Sequence, residues 1–163
     1  MAIERIGIIG AGTMGNGIAQ ACAAVGLQAV MQDVNEPALE RALKTISGSL
    51  DRLVRKETMT EAEKAAAMAR ICTTSKAEDL AGADLIIEAA TENEALKIKI
   101  LKNLEAIAGP DKIIATNTSS ISITRLAAAL QQPERSIGMH FFNPVPVMAL
   151  VEIISGLRTS QET

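Results

Sequence analysis

Short apolar runs alternate along this chain with longer stretches of helical period, and clusters of glycine, proline and polar residues separate them. Ile6-Gly-Ile-Ile9 is the first such run, and it passes straight into Gly10, Gly12 and Gly15. Met14 to Val25 continues as a helix, and Leu27-Gln-Ala-Val-Met-Gln32 reads as a second strand. Glu36 to Arg70 is strongly helical in composition apart from a break at Glu57-Thr-Met-Thr60, where Thr60-Glu-Ala-Glu63 has the spacing of a capping box that restarts a helix. The pattern therefore predicts two antiparallel helices projecting between the second and third strands at about residues 36–70. Such an excursion exceeds the usual crossover, and long excursions often serve binding. A solvated amphipathic hairpin without that role fits the same residues.

Strand-like runs then resume. Arg70 to Thr74 reads as a short strand, and Asp84-Leu-Ile-Ile-Glu88 as one apolar enough for the centre of a parallel sheet. Asn93 to Ala108 is a helix, Gly109-Pro110-Asp111 a turn, Lys112-Ile-Ile-Ala-Thr116 a strand and Ser122 to Leu130 a helix. Arg135 to His140 is a further strand, after which Asn143-Pro144-Val145-Pro146 imposes a non-helical passage. Val147 to Ile154 re-enters the sheet and is apolar except for Glu152, a lone acid that needs a partner in such a run.

The glycines carry the first chemistry. Gly10 permits a tight turn, Gly12 a close approach of backbone to a pyrophosphate, and Gly15 close packing of helix on strand, while the helix N-terminus turns its N–H groups to the phosphates. The second strand ends at Asp33, twenty-one positions after Gly12, where a carboxylate meets an adenosine ribose. It accepts from both ribose hydroxyls and repels a 2′-phosphate, and neither Val34 nor Asn35 supplies a cation, so NAD is favoured over NADP. With this strand–turn–helix context the expected fold is α/β, a doubly wound, Rossmann-type, mostly parallel sheet with the helical hairpin as an insertion in a domain spanning 1–163.

Composition narrows the picture. The 163 residues are 48% hydrophobic, with no Trp or Tyr, so the core is aliphatic and Phe141-Phe142 is an unusual spot. A formal net charge of −3 offers no basic excess for nucleic acid. The N-terminus lacks the apolar region of a signal peptide, and no later run suits a membrane span. Cys22 and Cys72 have neither metal nor redox spacing and read as reduced structural residues of a cytoplasmic protein.

His140 is the single histidine, and it closes a predicted strand, at the end where open α/β sheets place their ligands. Glu152 follows twelve positions later, and the intervening prolines allow the two side chains to meet. A buried carboxylate there would orient the imidazole and favour imidazolium, as a general base beside a hydride acceptor requires; a structural histidine fits the spacing equally well. Thr116-Asn-Thr-Ser-Ser120 brings hydroxyls to the same edge, for substrate or for capping the next helix.

Several blocks together resemble the NAD-binding domain of the 3-hydroxyacyl-CoA dehydrogenases: Gly10-Ala-Gly-Thr-Met-Gly15, Glu88-Ala-Ala-Thr-Glu-Asn93, Asn117-Thr-Ser-Ser120, His140-Phe-Phe-Asn-Pro-Val-Pro-Val-Met148 and Leu150-Val-Glu-Ile153. The resemblance implies that His140 takes the proton of a 3-hydroxyl while hydride passes to NAD, that Glu152 orients it, and that Ser119 stands near substrate oxygen and nicotinamide. By the same resemblance Thr13 and Met14 join the glycines at the cofactor, Glu92, Lys97 and Asn143 line the NAD site, and Ser49 and Lys56 contact coenzyme A. Seven residues apart, Ser49 and Lys56 share a helix face, where Lys56 can offer an ammonium to a phosphate. The start at Met1 without an upstream hydratase-like region suits the short monofunctional members. The family's helical second domain, which closes the site and makes a homodimer, is expected to be absent from a chain stopping at Thr163, leaving a poorly active fragment. Two alternatives are a β-hydroxyacid dehydrogenase, whose catalytic lysine helix has no match here, and a non-catalytic NAD(H)-binding relative of the lens-crystallin kind.

Overall fold

The computed structural model describes residues 2–163; Met1, where the sequence reading begins the domain, lies outside the described residues. The elements run β1 (Arg5–Ile9), α1 (Thr13–Ala24), β2 (Gln28–Gln32), α2 (Glu36–Arg55), α3 (Glu61–Ala69), β3 (Ile71–Thr74), β4 (Leu85–Glu88), α4 (Glu94–Ala108), β5 (Ile113–Thr116), α5 (Ile123–Ala127), β6 (Ser136–Phe141) and β7 (Val151–Ser155). They form a 7-stranded sheet in the order β3-β2-β1-β4-β5-β6-β7. The first six strands are parallel and β7 alone pairs antiparallel, so the expected doubly wound α/β sheet is what this chain forms.

Alternation along the strands sorts their side chains into two cores. Ile6 and Ile8 of β1, Ala29 and Met31 of β2, and Leu85 and Ile87 of β4 face one layer, whereas Ile9, Val30 and Ile86 face the other. The first layer is closed by Ile18 and Ala19 of α1, Leu39, Ile46 and Leu50 of α2, and Ala67 of α3. Leu101 and Leu104 of α4 and Leu126 of α5 close the second. Each buried Leu, Ile, Val or Met among them contributes about 1.5–3 kcal/mol by leaving water, so the strand order is fixed from both faces. It also fixes the crevice at the carboxyl ends of β1 and β4, where the order reverses.

The two helices predicted between β2 and β3 are present, and the capping box at Thr60 and Glu63 is formed in both directions. They pack against α1 as well as each other, so the hairpin is anchored on the first helix layer through Leu39, Ala42, Ile46, Leu50 and Ala67, with its outer face and its tip at Lys56 to Thr58 exposed. The break itself is a helix C-terminus. Glu57 has φ 57°, its N–H donates to Val54 O at 2.9 Å, and the Thr58 N–H donates to Leu53 O at 3.1 Å. That paired closure favours glycine at the left-handed position, which costs other L-residues about 1 kcal/mol. Glu57→Gly is expected to stabilise the chain by roughly 0.5–1 kcal/mol and to raise Tm by about 2–3 °C in a thermal melt. A lowered Tm would show that the Glu57 side chain contributes more than its backbone conformation costs.

Two boundaries differ from expectation. α5 covers Ile123–Ala127 instead of Ser122 to Leu130: Ser122 caps it, and Ala129 N–H closes a tighter turn onto Leu126 O at 3.2 Å. β7 begins at Val151 instead of Val147, because Pro144 O accepts from both Val147 and Met148 N–H at 3.0 Å, and that turn keeps Val147 to Leu150 off the ladder. Cys22 and Cys72 are free thiols, and burial pushes the Cys22 thiol up to about 11. No helix among the described residues is long and apolar enough to cross a membrane.

Candidate cofactor and active site

Gly10 leaves β1 with φ +98°, and a Cβ there would stand 2.8 Å from Ala89 O and Ala90 Cα. At Gly15 a Cβ would come 1.8 Å from Gly10 O, so helix and strand could not approach as they do. Gly12 is different. A Cβ there meets nothing within 4 Å, which means that no protein neighbour requires the glycine and that open space lies in front of the α1 N-terminus. The first turn of α1 carries no acidic residue of its own to neutralise its N–H groups and positive dipole end. Thr13 is exposed beside Gly12, while Met14 is half-buried and packs on the first core.

Asp33 closes the other side of this turn. Its Oδ2 accepts from Ala11 N–H at 2.8 Å and its Oδ1 from Asn35 N–H at 2.9 Å. Each carboxylate oxygen retains a lone pair, so the group that fixes the glycine turn can also accept from a ribose. Beside it lies a cleft of about 400 Å³ lined by residues that include Gly10, Asp33, Val34, Ala77, Leu96 and Ile100. Apolar walls with one carboxylate at the rim suit a flat base joined to a ribose diol. These residues fit a dinucleotide.

Lys97 occupies a place the sequence reading did not foresee. It is 1% exposed and pairs with Glu88, itself 0% exposed, so in this structure its ammonium is buried in an ion pair at the end of β4. Thr116 Oγ1 completes the cluster, accepting from Lys97 Nζ at 3.1 Å and donating to Glu88 Oε2 at 2.8 Å. Glu88 Oε1 also accepts from Ala90 N–H at 2.9 Å. A cation from α4 thereby ties the ends of β4 and β5 together where their functional turns begin.

Glu92 sits on the turn after β4 and is taken up by the turn after β5. Its Oε1 accepts from Thr118 Oγ1 at 2.5 Å, Ser119 N–H at 3.1 Å, and the Ser119 and Ser120 hydroxyls at 3.3 Å. Burial pushes its carboxyl up, but the bonds from Thr118 and Ser119, the Lys97 charge and the Ser120 bond outweigh this and hold it below the usual glutamate range. Ser119 is exposed on that turn.

His140 and Glu152 face each other directly across the β6–β7 ladder, and Nδ1 lies 2.8 Å from Glu152 Oε2. The antiparallel return after the prolines thus makes the pair that the twelve-residue spacing suggested. One expectation fails: Glu152 is not buried. Its side chain is 51% exposed against 18% for His140, because β7 is the edge strand. With the carboxylate on Nδ1, that nitrogen carries the proton and Nε2 keeps the lone pair a base needs. The Phe142 ring packs on the imidazole at 4.5 Å, and Asn117 Oδ1 accepts from Phe141 N–H at 2.8 Å, steadying the end of β6.

The remaining sequence candidates are more scattered. Asn143 is exposed on the loop after β6, just before Val145, which is buried against Gly17 of α1. Ser49 is half-buried on α2, while Lys56 follows its last residue and leaves from the helix end. Glu88, Thr116 and Asn117 were named only within longer blocks, without the supporting bonds they make; the signal was a polar residue at or just past the end of each of two neighbouring apolar strands. Among the described residues no group of three or more His, Cys, Asp or Glu side chains could hold a metal.

Residues 5–163 match the family model described as 3-hydroxyacyl-CoA dehydrogenase, NAD binding domain. The chain is 50% identical over 161 residues to a 3-hydroxybutyryl-CoA dehydrogenase of Bradyrhizobium diazoefficiens, covering 99% of this chain and 55% of that protein. It is 42% identical to a fatty acid oxidation complex subunit alpha of Acinetobacter baylyi, covering 98% of this chain and 22% of the relative. A solved structure of (S)-3-hydroxybutyryl-CoA dehydrogenase from Ralstonia eutropha superposes with TM-score 0.97 at 59% identity, covering 99% of this chain and 57% of that one. The chain therefore spans little more than half the length of these two 3-hydroxybutyryl-CoA dehydrogenases.

Proposed function

This chain belongs to the 3-hydroxyacyl-CoA dehydrogenase family, as its NAD-binding domain, and on that premise we propose that it serves to interconvert L-3-hydroxyacyl-CoA and 3-oxoacyl-CoA by hydride transfer. The family match removes the β-hydroxyacid dehydrogenase alternative. The observation that carries the reading is the His140–Glu152 pair, 2.8 Å apart at the carboxyl edge of the sheet. Bound NAD⁺ supplies the acceptor for the hydrogen that leaves C3 with its electron pair. His140 Nε2 takes the hydroxyl proton as the C3–O bond becomes a carbonyl, and the Glu152 carboxylate stabilises the imidazolium that results. Ser119 positions the substrate oxygen, the turn from Gly10 through Met14 to Gly15 holds the diphosphate, and Asp33 holds the ribose. Asn143 borders the cofactor, while Ser49 and Lys56 hold coenzyme A.

We read residues 1–163 as one NAD-binding domain of a cytoplasmic enzyme that is homodimeric through a further domain of the family. Val147, Met148, Leu150, Val151, Ile153, Ile154 and Leu157 are exposed along β7 and its flanks, an apolar strip that supports such a covering. Steady-state oxidation of NADH by acetoacetyl-CoA tests the reading. The 163-residue chain should catalyse it at a rate lower by roughly two or more orders of magnitude than a chain extended to the dehydrogenases' full length, since closure and water exclusion contribute several kcal/mol. Comparable kcat values would show that surfaces outside this chain are dispensable. An extended chain that bound NADH without oxidising it would favour the non-catalytic relative.

Asp33→Ala gives a second test, of cofactor choice. Both NADH and NADPH should bind more weakly, because the Ala11 N–H loses its acceptor at 2.8 Å, but NADH should lose more, by about tenfold, as it alone loses a partner for its 2′-hydroxyl. Equal losses in fluorescence titrations would contradict the ribose role.

A further inference from the structure

We propose that Gln32 reads the base of the cofactor, its side-chain oxygen accepting from the 6-amino group of adenine. This deepens the dinucleotide reading of the cleft beside Asp33 and rests on it. Apart from Asp33, the polar side chains in the walls of that cleft are Gln32, Thr91 and Asn103. Side chains alternate along β2, so Gln32 turns to the face of Val30, the face to which Ile9 and Leu104, also walls of the cleft, belong. It is 5% exposed, and a carboxamide held that deep among aliphatic side chains needs a partner at each end. One end has its partner: Nε2 donates to Ser75 O at 3.3 Å. Among the described residues the fully enclosed side-chain atoms without a partner are Arg5 Nε and Ser136 Oγ, so Gln32 Oε1, which no protein group meets either, is open to the cleft that its residue lines.

The bond to Ser75 gives this amide a direction. A carbonyl oxygen only accepts, so the NH2 group faces Ser75 and the oxygen faces the cleft. Turning the amide over would lose that bond and bring two oxygens together. A base that presents an amino group therefore completes Gln32, whereas one that presents an oxo group sets a second acceptor against it. Adenine carries its amino group on the ring remote from the ribose. With the ribose hydroxyls on Asp33, that ring is carried into the cleft, between walls that include the exposed apolar side chains of Val34 and Leu96. Asn103 does not make the same choice. It is exposed on α4, has no side-chain hydrogen bond among the described residues, and can present either end of its amide.

Fluorescence titration of the 163-residue chain with NADH and with reduced nicotinamide hypoxanthine dinucleotide, which carries a 6-oxo group in place of the 6-amino group, tests this. The wild-type chain should bind NADH about tenfold more tightly than the hypoxanthine dinucleotide. Gln32→Met, similar in length and without donor or acceptor, should weaken NADH about tenfold, hold the hypoxanthine dinucleotide within about twofold, and so erase the preference. Asn103→Ala should keep it. Equal Kd values for the two dinucleotides on the wild-type chain would overturn the proposal without recourse to any variant. A preference that survived Gln32→Met, or that disappeared in Asn103→Ala, would overturn it as well. NADH bound with no preference of base would leave the dinucleotide reading standing, whereas a wild-type chain that bound neither ligand would overturn that reading together with the proposal.

Discussion

His140→Gln is expected to lower kcat for hydride transfer by about three orders of magnitude while leaving NADH affinity unchanged, because general base catalysis contributes roughly 10²- to 10⁴-fold. Glutamine keeps the size and the hydrogen bond to Glu152 but has no nitrogen lone pair to take a proton. Glu152→Gln should be milder, about 10- to 100-fold, since its amide oxygen still accepts the Nδ1 proton and only the charge supporting imidazolium is lost. The exposure of the Glu152 side chain, 51%, argues for the lower end of that range, as water already screens it. Rapid-mixing measurements of single turnover on the extended chain, at saturating NADH and acetoacetyl-CoA, separate these losses from product release. Wild-type rates in both variants would remove the pair from the chemistry. Loss of soluble fold would leave His140 as a packing residue against Phe142.

Lys97→Ala is the substitution with the largest expected effect on stability. Removing the lysine leaves the Glu88 carboxylate wholly buried with only Thr116 Oγ1 and Ala90 N–H as donors. Breaking a buried pair in this one-sided way costs about 3–5 kcal/mol, or about 10–15 °C in Tm for a chain of this size. The pair as a whole need not be stabilising, because both ions also lost their hydration. Glu88→Gln combined with Lys97→Met should therefore recover part of the loss, with the Gln oxygen still available to Ala90 N–H. Calorimetry of the wild type and both variants checks this. A Lys97→Ala protein within about 1 kcal/mol of wild type would mean that water or a shifted side chain replaces the ammonium, and that the ends of β4 and β5 do not depend on it.

The parts of the fold legible in the sequence are those governed by local rules. Strand alternation named β1, β2 and β4, and the glycine spacing located the turn that the left-handed backbone at Gly10 requires. Thr60 and Glu63 announced their cap through i, i+3 chemistry alone. Non-local partnerships were harder to read. Lys97 was placed at the NAD site by resemblance, and its burial against Glu88 follows only from the packing of α4 on the ends of β4 and β5. The spacing of His140 and Glu152 suggested that they meet, but their exposure depended on β7 being an edge strand, which the apolar run Val147 to Ile154 disguised. The bonds of Glu92 to Thr118, Ser119 and Ser120 link residues far apart in sequence and leave no local signature.

Transfer of isotope tests the central claim most directly, because it registers even slow chemistry. The chain would be incubated with NADH carrying deuterium at the transferable C4 position and with acetoacetyl-CoA, and the thioester product analysed by mass spectrometry. The account predicts 3-hydroxybutyryl-CoA with one deuterium at C3, formed by wild type and not above background by His140→Gln. Product without deuterium, or equal labelling by the His140 variant, would contradict a direct hydride transfer assisted by His140 and Glu152.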